Sequence, residues 1–362
     1  MTALVSIGIP MYNAAKTIAR CLQSCLALDW AALEIVVVDN GSLDDCTSIV
    51  DAIAARARCP IRRIACSERG PGPARNAATP HLNGEYVAWV DADDLVFADK
   101  IRTQIDALRR FGDAPAIASS EVLVERSLEG SNPQLVDTFT LLPCSAERTQ
   151  SLLGFRGVPP AGYLLTRAAV QHLDETGGFL PVRCQDREYF ARAHLLGIPF
   201  VHVERATAVY CNWSPVQVTN ALSRALWAPA LDRCYSSLRS IREKYDISLS
   251  PEETAALSRS WEYHAWLDFK WTSPDEIAFL SKGEMVRRNL DPLERAILLA
   301  SGSQRVVFAE LLAASTIAIL PMLAPAASRV FVAAHRLLEN GPLVPIDHGK
   351  AEELATHSAS RA

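Results

Sequence analysis

The chain has 362 residues, 49% of them hydrophobic and 21% charged, which is enough to bury the core of one large domain and excludes general disorder. Its net charge of -5 arises from interspersed acidic and basic residues without a basic stripe, so we expect no nucleic-acid partner. The nine cysteines lack the paired spacing of a zinc site and are interpreted as small buried residues.

The first hundred residues alternate apolar runs with helical stretches, a pattern that predicts a parallel sheet covered by helices. The predicted strands are residues 4–9, which Pro10 ends, and then 34–38, 60–65 and 85–90. The second of these strands is continuous in Ile and Val, as is typical of a strand buried on both faces. Ligands of open α/β sheets bind beyond the carboxyl ends of the strands, so the turns found there are the first candidates for a site.

Helix signals fill the intervals between these strands. Asn13 is predicted to cap a helix that runs through about residue 28, and Ser42 with Asp45 has the spacing of a capping box for the next helix. A loop rich in glycine and proline, residues 68–73, then leads into a short third helix.

Beyond residue 100 the pattern is mixed. The predicted helices are residues 100–112, 167–174 and 186–196, and the predicted strands are 115–124, 162–165, 200–203 and 206–211. From about residue 218 the chain changes to helical runs rich in Trp, Leu and Ala, and we place a domain boundary there. Residues 218–340 are therefore predicted to form a helical C-terminal region and residues 341–362 a flexible tail.

An uncharged stretch near the C-terminus, residues 311–328, approaches the roughly 18 residues at which a membrane span becomes a candidate. Pro321 and Pro325 interrupt it, which favours a buried or interfacial helix pair over insertion. The N-terminus has no pattern of an export signal. We therefore expect a cytoplasmic protein, with any membrane contact limited to peripheral attachment at the inner face through residues 305–337.

Two carboxylates, Asp91 and Asp93, come directly after the predicted strand 85–90. Both can reach one divalent cation there, and their hard oxygen atoms suit Mg²⁺ or Mn²⁺. Acidic triplets also cap helices, so Asp93 or Asp94 could instead cap the helix that follows. The spacing alone leaves both interpretations open.

Five motifs occur in order along the first 215 residues: VSIGIPMYNAA, EIVVVDNGSLDD, ERGPGPARNAA, GEYVAWVDADDL and GGFLPVRCQDREYFARAHLLG. Together they resemble the motifs of family 2 glycosyltransferases of the GT-A fold. The resemblance implies an α/β fold with a mostly parallel sheet flanked by helices, and a metal-dependent, inverting enzyme. It implies a catalytic domain over residues 1–217, with a nucleotide-sugar-binding half, 1–112, and an acceptor-side half, 113–217.

The resemblance also implies roles for single residues at matching positions. The positions that border the nucleotide sugar correspond here to Pro10, Tyr12, Asp39, Asn40, Arg75, Asp91 and Ala92. Tyr12 is expected to contact or stack on the base. Asp91 and Asp93 match the Asp-x-Asp metal motif, with Asp93 as the stronger candidate for direct metal contact. Asp186 matches the catalytic base at the start of a late helix.

Two positions depart from the family pattern. Asn40 stands where a second aspartate is common, although an amide can both donate to and accept from a nucleobase edge, and Gln185 replaces the usual glutamate before Asp186. Outside the family context Arg75 would be interpreted as a surface residue and Asp186 as a helix cap favoured by the macrodipole. The identity of the nucleobase is therefore left open.

The reaction that the resemblance implies is transfer of a sugar from a nucleotide-diphosphate donor, with a UDP-sugar favoured, to a glycan or lipid-linked acceptor in cell-surface glycan synthesis. A divalent cation would offset charge on the departing diphosphate, and Asp186 would accept the proton of the acceptor hydroxyl. The first strand is not followed by a Gly-x-Gly-x-x-Gly turn, which argues against a dehydrogenase. The remaining alternative is a catalytically inactive nucleotide-sugar sensor or scaffold, which the joint presence of Asp91, Asp93 and Asp186 disfavours.

Overall fold

The computed structural model describes residues 2–126, 134–139, 158–211, 227–251 and 253–254. The strands are β1 (Val5–Met11), β2 (Leu33–Asp39), β3 (Ile61–Ala65), β4 (Tyr86–Trp89), β5 (Leu95–Val96), β6 (Ile117–Arg126), β7 (Gln134–Phe139), β8 (Tyr163–Thr166) and β9 (Phe200–Cys211). The helices are α1 (Ile18–Leu26), α2 (Cys46–Ala54), α3 (Pro71–Ala78), α4 (Lys100–Leu108), α5 (Arg167–Glu175), α6 (Gln185–Leu195) and α7 (Trp227–Lys244).

The strands form one nine-stranded sheet in the order β3-β2-β1-β4-β8-β6-β9-β5, and β7 pairs with β6 off this path. The first four strands pair with one another in parallel, as their helical crossovers require, while β8 runs antiparallel to both β4 and β6. β6 and β9 are again parallel. The predicted α/β fold with a mostly parallel sheet is thus confirmed, and the sheet becomes mixed in its second half.

Strand β2, which lies between β3 and β1, is covered on both faces. Val37 and Val38 are completely buried although consecutive side chains of a strand point to opposite faces. The predicted interpretation of the cysteines is also confirmed, because all eight that the structure describes are free and only Cys66 is not buried.

Pro10 does not end β1, contrary to the sequence prediction, because the strand continues to Met11. The ladder between β1 and β4 stops at the pair of Gly8 and Trp89, and the Gly8 carbonyl accepts from the amide of Val90. Pro10 lies two residues after Gly8, so its backbone nitrogen also points towards β4, but the ladder between β1 and β4 has already ended there. Its missing N–H therefore removes no hydrogen bond from the sheet.

Two predicted helix caps are wrong. Helix α1 begins at Ile18, and Asn13 instead joins the loop after β2: its Oδ1 accepts from the amide of Leu43 at 2.8 Å, and its own amide donates to the Ser42 hydroxyl at 3.0 Å. Ser42 is thereby used in this contact and does not form the predicted capping box with Asp45. These bonds hold the turns after β1 and β2 side by side.

The two predicted pieces 200–203 and 206–211 are one continuous strand, β9. Its register with β6 shifts near Glu121, which explains the break in the apolar pattern. Within the described residues no helix is long and apolar enough to cross a membrane. The predicted contact through residues 305–337, most of the region 218–340 and the tail 341–362 lie outside those residues, so these predictions stay predictions.

A buried polar network underlies the second half of the sheet. The Lys100 ammonium donates to Gln104 Oε1 at 2.7 Å and to the Tyr163 carbonyl at 3.2 Å, and Gln104 donates to the Gly162 carbonyl at 2.8 Å. Only 1% of Lys100 is exposed. Burial lowers the pKa of Lys100 to about 7, because a charged ammonium is poorly solvated there.

Lys100→Met is therefore expected to change how stability depends on pH. Between the folded pKa of about 7 and the ordinary value of 10.5 the unfolded chain binds more protons at this lysine, so its contribution to wild-type stability rises with pH. The unfolding free energy of the wild type relative to the variant should rise by up to about 1.4 kcal/mol per pH unit in this window. Urea denaturation from pH 7 to 10 measures it, with the exposed Lys244→Met as control. A difference that stays constant with pH would contradict the prediction.

Candidate active site

The strand order reverses at β1 and β4, and we call the space beyond the carboxyl ends of these two strands the switch-point crevice. The chain passes from β1 outward to β2 and β3 and then returns to place β4 on the other side of β1. Open α/β sheets bind ligands at such switch points. The Trp89 ring packs directly over Gly8 here, since a Cβ atom at Gly8 would lie only 2.3 Å from that ring.

Asp91 follows β4 and lies in this crevice. The guanidinium of Arg75 on α3 donates to Asp91 Oδ1, and 1% of the Arg75 side chain against 31% of the Asp91 side chain is exposed. Burial raises the pKa of Asp91, Arg75 lowers it, and the negative charge of Asp186 raises it again. Arg75 is therefore not a surface residue, and the structure brings Asp91 and Asp186 together although 95 positions separate them.

Asp94 does not have the role of helix cap that the sequence allowed. Helix α4 begins only at Lys100 with Asp99 at its N-cap, so neither Asp93 nor Asp94 caps it. Asp94 is completely buried, and its Oδ1 accepts from the Cys211 amide at 3.0 Å. Burial and the charges of Asp93 and Asp91 raise the pKa of Asp94 well above its usual range. Asp94 thus ties the acidic turn to the end of β9.

The carboxylates at the end of β4 fit a divalent cation of one particular kind. Within the described residues no cluster of three or more His, Cys, Asp or Glu is arranged to hold a metal ion. Asp94 is completely buried and bound to the Cys211 amide, whereas Asp91 and Asp93 are partly exposed and form the accessible acidic pair after β4. Mg²⁺ typically takes only one or two carboxylates and completes its shell with water and substrate phosphates. Asp91 and Asp93 suit such an ion and do not suit one held by protein alone.

Asp186 lies at the second position of α6 and is half-buried. The N-cap of this helix is Cys184, which adopts a left-handed conformation with φ of 58°. The alternative in which Asp186 caps the helix is therefore wrong. Its carboxylate remains at the positive end of α6 and within electrostatic reach of Asp91.

Asn76 connects α3 to the loop that precedes α6, a role that the sequence analysis did not assign. Its side-chain nitrogen donates to the Phe179 carbonyl at 2.8 Å, and its Oδ1 accepts from the Phe179 amide at 2.7 Å. Gly178 has a φ of 60°, and a Cβ there would lie 2.7 Å from Asn76 Oδ1. The adjacent Arg75 contacts Asp91, so a single helix positions the acidic turn and the loop that leads to Asp186.

A buried ion pair supports the same loop from behind. Arg192 and Glu188, one turn apart on α6, are 1% and 0% exposed and lie 3.0 Å apart. Arg192 also donates to the carbonyl of Leu173 at 2.9 Å and to that of Gly178, and Ser237 on α7 donates to Glu188 at 2.8 Å. The sequence predictions assign this pair no role, and its spacing of four on a helix is the only local signal for it.

The residues predicted to contact the nucleobase lie at the ends of β1 and β2. Tyr12 is 45% exposed, whereas the side-chain amide of Asn40 is buried and bound to the backbone. Its nitrogen donates to the carbonyls of Cys66 and Glu68, at 3.1 and 2.6 Å, and its oxygen accepts from the Gly70 amide at 2.7 Å. Three of the four hydrogen bonds that this amide can make are thus used within the protein. The contact of Asn40 with a base stays a prediction, and its observed function is to hold the loop after β3.

The other predicted nucleotide-site residues border the same crevice. Asp39 Oδ1 accepts from the Ser42 amide at 2.9 Å, which fixes the turn after β2. Pro10 is half-buried near the end of β1, and Ala92 is 7% exposed between the two acidic residues. The structure therefore places these residues at the carboxyl ends of β1, β2 and β4, while the ligand contacts assigned to them stay predictions.

Comparison with known proteins points to one family. Residues 6–150 match the family model described as glycosyl transferase family 2. The succinoglycan biosynthesis protein ExoO of Rhizobium meliloti is 36% identical over 127 residues, which are 35% of this chain and 35% of that protein. The chain spans about a third of the length of the curated relatives it matches first.

Two solved structures are similar to this chain in fold. A mannosyltransferase from Pyrobaculum calidifontis, solved in complex with GDP-Man and Mn²⁺, has a TM-score of 0.54 at 20% identity and covers 94% of this chain and 88% of its own. S. aureus TarS, in complex with UDP-GlcNAc, has a TM-score of 0.53 at 15% identity and covers 84% of this chain and 89% of its own. At these identities the similarity is evidence for the fold alone, and it confirms the predicted GT-A architecture.

Proposed function

The chain belongs to glycosyl transferase family 2 through its residues 6–150, and on this premise we propose that it transfers a sugar from a nucleotide-diphosphate donor to an acceptor hydroxyl. The observation that supports this most directly is that Asp186 lies within electrostatic reach of Asp91, with Arg75 bound to Asp91. An acidic turn for the donor and a carboxylate for the acceptor are the two groups that the reaction needs.

The proposed reaction is a single displacement at the anomeric carbon of the donor. The acceptor oxygen forms a bond to that carbon, and the bond to the diphosphate breaks with its electron pair on the diphosphate oxygen. Asp186 takes the proton from the acceptor hydroxyl, and the anomeric configuration inverts. Asp91 and Asp93 would hold a Mg²⁺ or Mn²⁺ ion, which offsets negative charge on the diphosphate when bound. Arg75 keeps Asp91 in place and limits the repulsion between Asp91 and Asp186.

The proposed donor is a UDP-sugar, and the proposed acceptor is a glycan or a lipid-linked sugar. TarS was solved with UDP-GlcNAc and the mannosyltransferase with GDP-Man and Mn²⁺, which supports a nucleotide sugar and a divalent cation. ExoO is named for succinoglycan biosynthesis, which supports a place in the synthesis of a cell-surface glycan. We retain the predicted division into a catalytic domain of residues 1–217 and a helical region from residue 218 as part of the proposal.

Asp93→Asn tests the metal part of this proposal. The substitution keeps the shape of the side chain but removes one charge from the ion's ligands, so turnover of the nucleotide sugar should fall by about 10²-fold or more while the fold survives. Donor hydrolysis and transfer are measured with a panel of UDP- and GDP-sugars, with Mn²⁺ and with excess EDTA. The control Asp113→Asn changes an exposed aspartate near Tyr86, at the amino end of β4 and therefore away from the site.

The outcomes separate the possible functions. Wild-type turnover that persists unchanged in excess EDTA would contradict the metal assignment but not the transferase. Nucleotide-sugar binding without hydrolysis or transfer to any acceptor would instead favour the inactive sensor or scaffold. Absence of nucleotide-sugar binding would contradict both functions.

A further inference from the structure

An exposed arginine, Arg69, is held in place beside the carboxyl ends of β1 and β2. Its guanidinium carbon lies 4.6 Å from the centre of the Tyr12 ring, and its Nη1 donates to the Asn40 carbonyl at 3.1 Å. Gly41, with a φ of 78°, lies beneath it: a Cβ atom there would be 3.7 Å from the guanidinium carbon. An aromatic face, a carbonyl and a glycine thus fix the plane of an otherwise solvent-exposed side chain.

The charge of Arg69 has no carboxylate partner within the described residues. Other arginines in this half of the fold do, since Arg75 pairs with Asp91 and Arg63 with Asp51. An arginine ordered by a ring and a backbone carbonyl keeps most of its five N–H donors for another acceptor. Its surroundings therefore favour a ligand rather than a structural ion pair.

The position of Arg69 along the crevice indicates which end of a nucleotide it meets. Its contacts are at the ends of β1 and β2, whereas the acidic turn follows β4. β2 and β4 flank β1, so they lie two strand spacings apart, or about 10 Å. This separation is comparable to the reach from the base to the terminal phosphate of an extended nucleoside diphosphate. With the diphosphate at Asp91 and Asp93, the base would lie beside Tyr12 and Arg69.

We propose that Arg69 selects the nucleobase of the donor by donating hydrogen bonds to a base carbonyl oxygen, which favours uracil or guanine over adenine. The proposal rests on the proposed function and identifies the residue that would choose the base. A guanidinium has only donors, so it pairs with a carbonyl oxygen and is opposed by the exocyclic amino group of adenine. The side-chain amide of Asn40 is largely used by the protein, which leaves this selection to a neighbour.

The test measures binding of nucleoside diphosphates, which needs neither acceptor nor turnover. The affinities of UDP, GDP and ADP in the presence of Mn²⁺ are determined by calorimetry for the wild type, Arg69→Ala and Arg69→Lys. The wild type should bind UDP or GDP roughly tenfold or more tightly than ADP, because one well-placed bidentate contact discriminates by at least that much. Arg69→Ala should weaken the preferred nucleotide about tenfold and leave ADP nearly unchanged.

Arg69→Lys separates base selection from simple charge attraction. Lysine keeps the positive charge but not the planar pair of donors, so it should lose the preference for a carbonyl base as alanine does. The control Arg109→Ala removes an exposed arginine that lies near Tyr86, at the amino end of β4, and should change no affinity.

Three results would overturn the inference. They are a wild type that binds all three nucleotides equally, a preference that survives in Arg69→Ala, and tighter binding in that variant because Arg69 had blocked the Tyr12 ring. If the wild type binds none of the nucleotides, the proposed function fails and the inference fails with it. Equal binding of all three would leave the transferase proposal intact.

Discussion

Asp186→Asn is expected to lower the rate of sugar transfer by roughly 10² to 10⁴, because removal of a general base typically costs that much. The variant keeps the size and polarity of the side chain but has no group that can accept the acceptor's proton. Donor affinity should be nearly unchanged, since the residues proposed to bind the donor are on other elements. Transfer rates and donor affinity by calorimetry, measured on the same preparations, separate the two effects.

The structure also predicts a small effect of this substitution on stability. Cys184 is the N-cap of α6, so Asp186→Asn removes no capping bond; it relieves the repulsion from Asp91 and removes the interaction of a charge with the helix macrodipole. That interaction is worth about 0.3–1 kcal/mol. A rate loss of 10² to 10⁴ corresponds to about 3–5 kcal/mol of activation free energy, well beyond what such a change in stability can produce. Asp113→Asn, the same chemical change near the amino end of β4, is the matched control.

Near-normal transfer by Asp186→Asn would refute the assignment of the base. Glu188 could not easily replace it, because its carboxylate is buried and accepts hydrogen bonds from Arg192 and Ser237. Glu175, exposed at the end of α5, would be the next residue to substitute. Loss of donor binding would instead identify Asp186 as a binding residue.

The parts of the fold that the sequence predicts correctly are those with a local signal. The apolar run of β2 and the acidic turn after β4 can both be read from a few neighbouring residues. The parallel order of the first strands follows from the alternation of strand and helix. Family motifs then relate Asp186 to Asp91, which no local pattern could do.

The contacts that the sequence does not predict join positions far apart in the chain. Asn76 and Phe179 are 103 positions apart, and Asp94 and the Cys211 amide are 117 apart. Such bonds leave no periodicity, because each depends on how two separate elements pack. The two wrong predictions of helix caps have a related cause. The Asn13 amide donates to the Ser42 hydroxyl across 29 positions, so these residues join the turns after β1 and β2 and do not cap the helices that follow them.

Cys184 is missed for a different reason. Its left-handed φ of 58° is uncommon for a residue with a Cβ atom, and sequence rules favour Ser, Thr, Asp or Asn at an N-cap. Asp186, two residues later, satisfies such a rule better, so the sequence predicts the helix start one residue late and offers Asp186 as an alternative cap.

The largest effect on stability is expected for Glu188→Gln. This substitution removes the charge that balances Arg192, while the guanidinium stays buried among the carbonyls of α5 and the loop before α6. Breaking a buried ion pair on one side typically costs about 3–5 kcal/mol of unfolding free energy, because an uncompensated charge remains inside. Chemical denaturation measures the loss, and Glu175→Gln at an exposed position of the neighbouring helix α5 should change stability little.

A double variant distinguishes an unbalanced charge from a simple loss of packing. Glu188→Leu combined with Arg192→Met removes both charges, and apolar replacement of a buried pair is often far less costly than breaking it. The double variant should therefore be more stable than Glu188→Gln, although it loses the bonds from Arg192 to the Leu173 and Gly178 carbonyls. Those lost bonds should loosen the loop that Asn76 holds at Phe179 and lower the rate of transfer more than donor affinity. A Glu188→Gln variant within about 1 kcal/mol of the wild type would show that Arg192 is balanced by other groups, because a surface substitution has no larger effect.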